Sequence, residues 1–380
     1  MTPSPPLDTA LLTVAAVRDE TSLARLAAVW DTLAGEIPFR SATWARNWWR
    51  HYQDSRSRLM VLLVADEQGD ILGIAPWFVS RSPRLGRIVR FLGSGEVCSD
   101  YLTILADPEH APAVAARLAD WLTGVGAAEW DLLDLTGVER ADPAIGRLAK
   151  SLAERGHVVD FHDDMSCWRS ELPDDWDRFL STLSKSRRER TRALLRRAID
   201  SGRATVHRVT THGELERAFD VLVDLHQKRR QSLSQPGCFA SARFTAFHRE
   251  MAAALLDSGQ LRMLWTELEG RPVSAEYSFV GGDTVYYYQG GFEPQLADER
   301  PGWLSFAVSL KLAIEEGYRN YDFLRGDESY KASWRATARP LMRVRIVGQQ
   351  RAARMRYSTW RACAGVRTWA RQLFSRVKRS

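Results

Sequence analysis

The stretch PGWLSFAVSLKLAIEEGYRNYDFLRGDESYKASWRATARPLMRVR, residues 301–345, decides the fold. Apolar residues recur at helical spacing over 304–314, which predicts a helix that begins at the Pro-Gly pair and ends near Gly317. Residues 321–324 predict a short strand, and a polar loop and a further strand follow. Because folding does not require an acid, a Tyr-Lys pair and a Trp together in one loop, we expect residues 325–335 to carry function.

The charge of the chain is unevenly distributed. The 380 residues have a formal net charge of +6, but 348–380 contains nine Lys/Arg and no acid, so the remaining chain is mildly acidic. Four scattered cysteines indicate a reducing compartment and argue against both a disulfide framework and a zinc site. The chain shows no signal-peptide pattern and no apolar run long enough to span a membrane. We therefore expect a cytoplasmic protein, peripheral to the inner face of the membrane if the basic tail binds lipid.

The order of the predicted elements repeats along the chain. Residues 59–79 predict two strands joined by a turn, and 111–135 contain a helix followed by a strand. The same patterns return at 261–280 and 301–324. The repeat predicts an α/β protein of two similar domains, each a meander followed by a helix and a strand on a mixed sheet. The boundaries are predicted at 1–168 for the first domain, 169–347 for the second and 348–380 for a basic helical tail.

Four motifs of the second half resemble the GNAT acyltransferase superfamily. They are the basic helix beginning at Leu183-Ser184-Lys185, Leu225-His226 ahead of three basic residues, the Gly270-Arg271-Pro272-Val273 hairpin, and Tyr321-Asp322-Phe323 followed by Gly326 and Tyr330-Lys331-Ala332-Ser333-Trp334. They are similar to the tandem members: the CelD-like proteins of cellulose biosynthesis clusters, the BioF-like acetyltransferase group and the Fem-type transferases. The first half resembles the superfamily more weakly, and we expect its domain to be degenerate because Trp130-Asp131 is followed by no Tyr-Lys-Trp counterpart.

The resemblance implies where an acyl donor binds. A GNAT sheet is splayed between its fourth and fifth strands, here 284–289 and 320–324, and acyl-CoA lies in the splay. Pantetheine would follow the fourth strand, which makes its last residues, Tyr288 and Gln289, donor-binding candidates. The pyrophosphate would lie at the helix start formed by Arg300, Gly302 and Trp303, where backbone N–H groups and the helix dipole favour an anion. Acetyl-CoA is therefore the expected co-substrate, with no metal.

The loop before this helix departs from the family pattern. Residues 299–303 contain one glycine and a proline, where other GNAT proteins have spaced glycines, and proline removes a backbone donor. Fem-type relatives use aminoacyl-tRNA in place of CoA, so the donor remains open between the two. A further alternative is a non-catalytic component of a membrane-associated polysaccharide synthesis complex.

Glu276 and Tyr330 are the candidate proton-transfer residues. Strand alternation can point Glu276 into the splay, where burial would raise its pKa and suit it as general base; alternatively it faces solvent. Tyr330 can return a proton to the leaving group, or it can instead pack on Trp334.

Asp322 and Lys331 complete the predicted catalytic set. Asp322 lies on the predicted fifth strand and could orient the acceptor, or form a salt bridge with Lys331 or Arg325. Lys331 could contact a donor phosphate or an acidic acceptor, or form that pair with Asp322. A buried pair of this kind is costly to break from one side, so mutation alone would not separate the two interpretations.

Two basic segments predict contact with anions. Residues 184–208 hold nine Lys/Arg against two acids, which favours a phosphate-bearing acceptor or tRNA, although a solvated helix face has the same pattern. We therefore take Arg187, Arg188, His226 and Trp334 as acceptor-binding candidates. In the tail, aromatic and apolar residues between Tyr357 and Val377 recur at helical spacing among arginines, which fits either an anionic membrane surface or a helix packed on the body.

These features predict an N- or O-acyltransferase. By the resemblance, it would move an acyl group, most simply acetyl from acetyl-CoA, to an amine or hydroxyl of a sugar or of a cell-envelope or exopolysaccharide precursor.

Overall fold

The computed structural model describes residues 11–363. They form two compact units: unit 1 contains 11–35, 40–164 and 342–363, and unit 2 contains 36–39 and 165–341. The strands are β1 (Thr13–Val17), β2 (Ser57–Leu59), β3 (Val61–Ala65), β4 (Ile71–Ala75), β5 (Trp77–Ser82), β6 (Gly86–Phe91), β7 (Leu105–Ala106), β8 (Leu132–Glu139), β9 (Val158–Asp163), β10 (Cys167–Glu171), β11 (Ala204–Arg208), β12 (Leu261–Leu268), β13 (Arg271–Gly281), β14 (Thr284–Phe292), β15 (Asn320–Arg325), β16 (Thr337–Arg339) and β17 (Leu341–Val347). The helices are α1 (Glu20–Arg25), α2 (Ala27–Ala34), α3 (Ala42–Tyr52), α4 (Ala111–Thr123), α5 (Pro143–Glu154), α6 (Trp176–Thr182), α7 (Lys185–Leu195), α8 (His212–Ser232), α9 (Ala242–Asp257), α10 (Pro301–Glu315), α11 (Ser329–Ser333) and α12 (351–363).

The sheet of unit 1 consists of two hydrogen-bonded sets of strands. Their orders are β1-β3-β4-β7 and β2-β5-β6-β8-β17-β9. The sets meet where β2 is followed by β3 and β4 by β5, and the Met60 amide donates to the Trp77 carbonyl across this junction at 3.1 Å. Strands β6 and β8 run parallel and pair only at Ile88–Val89 with Leu132–Leu133.

The sheet of unit 2 has seven strands in the order β11-β12-β13-β14-β15-β10-β16. Its fourth and fifth strands, β14 and β15, run parallel and pair only over Thr284–Tyr286 with Asn320–Asp322. Beyond this point β14 continues to Phe292 and β15 to Arg325, so the sheet opens between them. The predicted mixed sheet with a splay between the fourth and fifth strands is confirmed.

Each sheet includes a strand that is distant in the chain from its neighbours in the sheet. Strand β10 lies between β15 and β16 in unit 2, and β17 lies between β8 and β9 in unit 1. The predicted boundary at residue 347 differs from the structure, because 342–347 belongs to unit 1. The sequence places β17 directly after β16 but does not identify its partner strand, because an apolar strand fits either sheet.

Helix α10 follows from its local sequence. Pro301 occupies the first helical position, where a missing N–H costs nothing, and Gly317 beyond the end adopts a positive φ of 87°. Leu304, Ala307 and Leu310 bury the predicted apolar face in the core of unit 2. The polar loop that follows β15 contains the short helix α11, which the sequence did not predict.

Glycine allows α8 to approach the opposite face of the same sheet. A Cβ on Gly291 of β14 would collide with the backbone of His226 in α8. The N-terminus of α8 is fixed by a capping box between Thr211 and Glu214. The sheet of unit 2 is thus covered by α10 on one face and α8 on the other.

The beginning of the predicted tail packs on unit 1. Ala353 and Tyr357 of α12 are buried against Ile88, Leu132 and Val347. The remainder of the predicted amphipathic segment, 364–380, lies outside the described residues, and membrane contact stays a prediction. Over residues 11–363, no helix combines the length and apolar character needed to cross a membrane.

Candidate active site

A cavity of about 570 Å³ lies in unit 2, where the sheet opens. One wall is the distal half of β14, including Tyr287, Gly290 and Gly291. The start of α10 forms a second wall, and side chains from α8 and α11 contribute the others. Of the predicted site residues, those that line the cavity are Arg300, Gly302, Trp303, Tyr330 and Trp334.

The N-terminus of α10 faces this cavity. Arg300 precedes the helix with a φ of 49°, and its carbonyl accepts the amides of Trp303 and Leu304, both at 3.0 Å. Among the backbone hydrogen bonds of loops, turns and helix caps within residues 11–363, none has the Gly302 amide as its donor. Pro301 does not weaken the helix, because the helix makes no use of the N–H at this position, but it removes one donor that an anion could have bound. A Cβ on Gly302 would lie 3.0 Å from the Phe292 ring, so this wall has little spare space.

The charged side chains of the cavity wall favour an anion. Glu293 and Glu328 each have a lysine partner, at 3.6 Å from Lys228 and 3.0 Å from Lys331. The wall also contains three arginines that have no carboxylate partner among the described residues: Arg229, Arg230 and Arg300. Arg229 lies over the Phe292 ring, and Arg230 donates to Gln235 and His226. A cavity with three guanidinium groups and a helix N-terminus attracts a polyanion.

Two stacked tryptophans form one side of the cavity. Trp303 and Trp334 lie with their ring centroids 4.2 Å apart. The indole N–H of Trp303 donates to the Thr191 hydroxyl of α7 at 3.0 Å. The indole N–H of Trp334 is buried and has no partner within the part of the chain described. Because an unpaired buried donor costs stability, this N–H is the better placed of the two to bind a ligand oxygen.

Glu276 faces the interior of unit 2, not solvent. It is 2% exposed; its Oε1 accepts from the Ser305 hydroxyl at 2.9 Å, and its Oε2 accepts from the Tyr321 phenol at 3.5 Å. Burial raises the pKa of Glu276, and hydrogen bonds from Ser309 and Ser305 and the Arg262 charge offset only part of the rise. Such a carboxyl accepts a proton more readily than an exposed one does.

Tyr330 lines the cavity from α11. Its ring stacks on Phe306 at 5.1 Å between centroids. Burial, together with the negative charges of Glu328 and Glu276, raises the pKa of Tyr330. The phenol therefore holds its proton at neutral pH and can donate it to a leaving group.

Asp322 and Lys331 have partners that the sequence did not indicate. Asp322 is fully buried and accepts from Arg169 Nε at 2.9 Å and from the Leu324 amide at 2.8 Å. The Lys331 ammonium donates to the carbonyls of residues 324, 325 and 326 at 2.9–3.0 Å. The predicted Lys331–Asp322 pair is not formed; the Lys331 ammonium instead binds these carbonyls and lies 3.0 Å from Glu328 Oε2. Neither residue lines the cavity.

The remaining predicted site residues lie around the cavity rather than on its wall. The Tyr288 phenol is 3.0 Å from His248 Nε2 on the α9 side of the sheet. His226 is buried, and burial lowers its pKa to about 4 although Gln227 and Gln289 hydrogen-bond to it. Arg187 is exposed and Arg188 half-buried on α7. Among the described residues, no group of three or more His, Cys, Asp or Glu could hold a metal ion.

Sequence reasoning missed the polar network that surrounds Glu276. Arg262 of β12 is fully buried; it donates to the Ser309 hydroxyl at 2.9 Å and to Glu316 at 3.0 Å. Ser305 and Ser309 lie one turn apart on the sheet-facing side of α10. Two serines at i and i+4 on an otherwise apolar helix face were a signal for this network, because a buried hydroxyl needs a partner.

Comparisons with known proteins agree with this geometry. A family model described as an acetyltransferase (GNAT) domain matches residues 185–332. No curated protein matches the sequence.

Solved structures share the architecture at low sequence identity. The crystal structure of FemX superposes with a TM-score of 0.60 at 12% identity, covering 87% of this chain and 96% of that one. A conserved protein of unknown function from Bacteroides thetaiotaomicron gives 0.57 at 11%, covering 88% and 100%. The C-terminal domain of a putative lysylphosphatidylglycerol synthetase from Agrobacterium fabrum gives 0.51 at 11%, covering 90% and 96%. At these identities the likeness shows the fold alone. The acetyltransferase (GNAT) family model therefore matches a segment that lies within unit 2, and the solved structures share the fold of the chain.

Proposed function

We propose that this protein transfers an acyl group from a polyanionic donor held in the cavity of unit 2. The observation that carries the proposal is the charge of the wall: three arginines without a carboxylate partner converge with the N-terminus of α10. Both acyl-CoA and aminoacyl-tRNA combine an acyl ester or thioester with phosphates, so both fit this charge.

Acyl-CoA is the simpler donor for the observed shape. Beyond Tyr286, β14 no longer pairs with β15, so its edge is open toward the splay. The amides of pantetheine can pair with such an edge as an added strand does, and the phosphates would then reach Gly302 and Arg300. Acetyl-CoA is the donor we propose, with Trp334 as a hydrogen-bond donor to it.

The proposed chemistry uses one residue to take a proton from the acceptor and another to give a proton to the leaving group. The acceptor amine or hydroxyl attacks the acyl carbon as Glu276 takes its proton. The carrier leaves as a thiolate, and Tyr330 supplies the proton that it needs. Asp322 and Lys331 act as positioning residues, because Asp322 fixes Arg169 beside β15 and Lys331 ties down the carbonyls at the end of β15.

The acceptor follows from the resemblance and from α7. A sugar or cell-envelope precursor linked to a nucleotide or lipid phosphate would suit the basic surface that carries Arg187 and Arg188. The second candidate is Fem-type aminoacyl transfer, which the fold likeness to FemX and the same basic helix favour.

Calorimetric titration with acetyl-CoA tests the proposal on wild type and on Gly302→Glu. The carboxylate would enter the cavity beside Phe292 and repel the phosphates, so we expect saturable binding by wild type and none by the variant. Gly213→Glu is the matched control: Gly213 holds the second position of α8, as Gly302 does in α10, and nothing lies within 4 Å of its added Cβ.

If Gly302→Glu retains wild-type affinity, acetyl-CoA does not bind at this helix start. If wild type does not bind acetyl-CoA at millimolar concentration, acyl-CoA transfer is wrong, and binding to tRNA then decides the Fem-type alternative.

A further inference from the structure

Glu276 lies directly behind the cavity wall but does not line it. Its carboxylate is buried under α10. Ala275, next to it on β13, and Gly290, its cross-strand partner on β14, both line the cavity. An acceptor in the cavity therefore needs an intermediate group to deliver a proton to this carboxylate.

Ser305 is placed to be that group. It lines the cavity, and its hydroxyl donates to Glu276 Oε1 at 2.9 Å. Ser309, one turn later, also hydrogen-bonds to the carboxylate, but it is fully buried and does not line the cavity. Among the described residues, Ser305 alone both lines the cavity and has a hydroxyl hydrogen-bonded to Glu276.

The surrounding hydrogen bonds fix the direction of the Ser305 proton. Arg262 can only donate, so the Ser309 hydroxyl that accepts from it directs its own proton toward Tyr321 or Glu276. The Tyr321 phenol donates to Glu276 in turn. Because an ionised carboxylate only accepts, the Ser305 and Tyr321 hydroxyls point their protons toward it. The lone pairs of Ser305 are then available to a group in the cavity.

We propose that Ser305 relays the acceptor's proton to Glu276, an inference that rests on the proposed acyl transfer. As the acceptor nitrogen or oxygen forms its bond to the acyl carbon, its proton moves to Ser305 Oγ, and the original Ser305 proton moves to Glu276 Oε1. The carbon–sulfur bond breaks, and the thiolate takes a proton from Tyr330. After product release the Glu276 proton returns to solvent, and the Tyr330 phenolate takes a proton from solvent.

The relay can be tested without the natural acceptor, because water can take the acceptor's place. Hydrolysis of acetyl-CoA is followed by release of the CoA thiol from pH 6 to 9. We expect Ser305→Ala to lower kcat about 100- to 10,000-fold, the order of a proton-transfer contribution, with little change in KM. Ser305→Thr keeps a hydroxyl and should recover most of the rate.

A double variant separates a relay from a merely structural serine. Ser305→Ala combined with Glu276→Gln should be no slower than Glu276→Gln alone, because both remove the same proton path. The pH profile of wild type should show the titration of Glu276, whose charged and titratable neighbours are Arg262, Tyr321, Tyr287 and Tyr330. The Ser305→Ala profile should lose that step.

Several results would overturn the relay: a kcat of Ser305→Ala within twofold of wild type, losses that multiply in the double variant, or a wild type that binds acetyl-CoA without accelerating its hydrolysis. Failure of wild type to bind acetyl-CoA is distinct from these, since it removes the proposed donor and the relay with it.

Discussion

Units 1 and 2 each contain a parallel pair of strands, β6–β8 and β14–β15, with a helix between the two strands in the chain, but they differ in what packs against that helix. In unit 1, α4 buries Val114 and Leu118 in the apolar core. In unit 2, the corresponding face of α10 carries Ser305 and Ser309 against Glu276. The helix therefore packs on apolar residues in unit 1, and it carries polar side chains beside a cavity in unit 2. Because a shared fold does not imply a shared function, these side chains are where the two units can be compared.

Each unit also contains a buried carboxylate, Asp134 in unit 1 and Glu276 in unit 2, and their pKa values shift in opposite directions. In unit 1, burial alone would raise the pKa of Asp134, but Arg343 and Arg345 lower it on balance. In unit 2, burial raises the pKa of Glu276 despite its hydrogen bonds and Arg262. Asp134 is thus a structural anion, whereas the ionised form of Glu276 destabilises the folded state, and protonation removes that penalty.

The largest effect is expected from Asp134→Asn. Asp134 Oδ1 lies 2.6 Å from Arg343 Nε and 3.1 Å from Arg345 Nε, so the variant leaves two guanidinium groups without their counter-charge. The free energy of unfolding should fall by about 3–5 kcal/mol, measured in urea. The exposed Glu154→Gln is the control and should change it by less than about 0.5 kcal/mol.

The pH dependence of Asp134→Asn sharpens this prediction. A depressed folded pKa gives stabilisation that is present above the unfolded value, about 3.9, and is lost as the pH falls through the folded value. The difference between wild type and Asp134→Asn should therefore shrink in acid. A difference that stays constant down to pH 2 would contradict the assignment of Asp134 as the structural anion.

Gly73→Ala tests how closely unit 1 is packed. A Cβ on Gly73 of β4 would collide with the methyl groups of Val114 in α4. Because a β-branched side chain inside a packed helix has few other rotamers, we expect a loss of about 1–3 kcal/mol. In Gly146→Ala of α5 the new Cβ meets nothing within 4 Å, so this control should not destabilise unit 1. Equal stabilities for the two variants would show that α4 is not held against β4.

Glu276→Gln should stabilise the protein, the opposite of Asp134→Asn. A carboxyl with a raised folded pKa destabilises the native state progressively as the pH rises above the unfolded value of about 4.3. We expect a gain of about 0.5–2 kcal/mol at pH 8, as for other removals of a functional charge, shrinking toward pH 5. Thermal unfolding at both pH values measures it. A variant less stable than wild type at pH 8 would mean that the ionised carboxylate is structural.

The smallest effects are expected from two matched tryptophan substitutions. Trp303→Phe removes the bond to Thr191 and should cost about 0.5–1.5 kcal/mol of stability. Trp334→Phe removes an N–H without a described partner, so stability should hold while the affinity for acetyl-CoA falls about 5- to 10-fold. If Trp334→Phe destabilises the protein as much as Trp303→Phe and leaves affinity unchanged, its N–H does not face the donor.

Local sequence patterns predicted most elements that build the site. The helix from Pro301, the strand at 320–325 and the hairpin around Gly270 were read correctly, because each depends on residues close in sequence. The inward direction of Glu276 was one of two open alternatives, since alternation gives two faces without saying which is buried. The partners of Asp322 and Lys331 were not predictable. Arg169 is 153 positions from Asp322, and the carbonyls that bind Lys331 have no side-chain signature.

The sequence by itself indicated the repeated order of the elements and the motifs that resemble GNAT proteins. The repeat depends on hydrophobic periodicity and on turn residues, which act over a few positions. Only the tertiary structure decided that β17 joins the sheet of unit 1 and that Ser305 connects a cavity to a buried carboxylate. Strand partners and buried networks form between residues far apart in the chain, and their free energy depends on packing that no local pattern encodes.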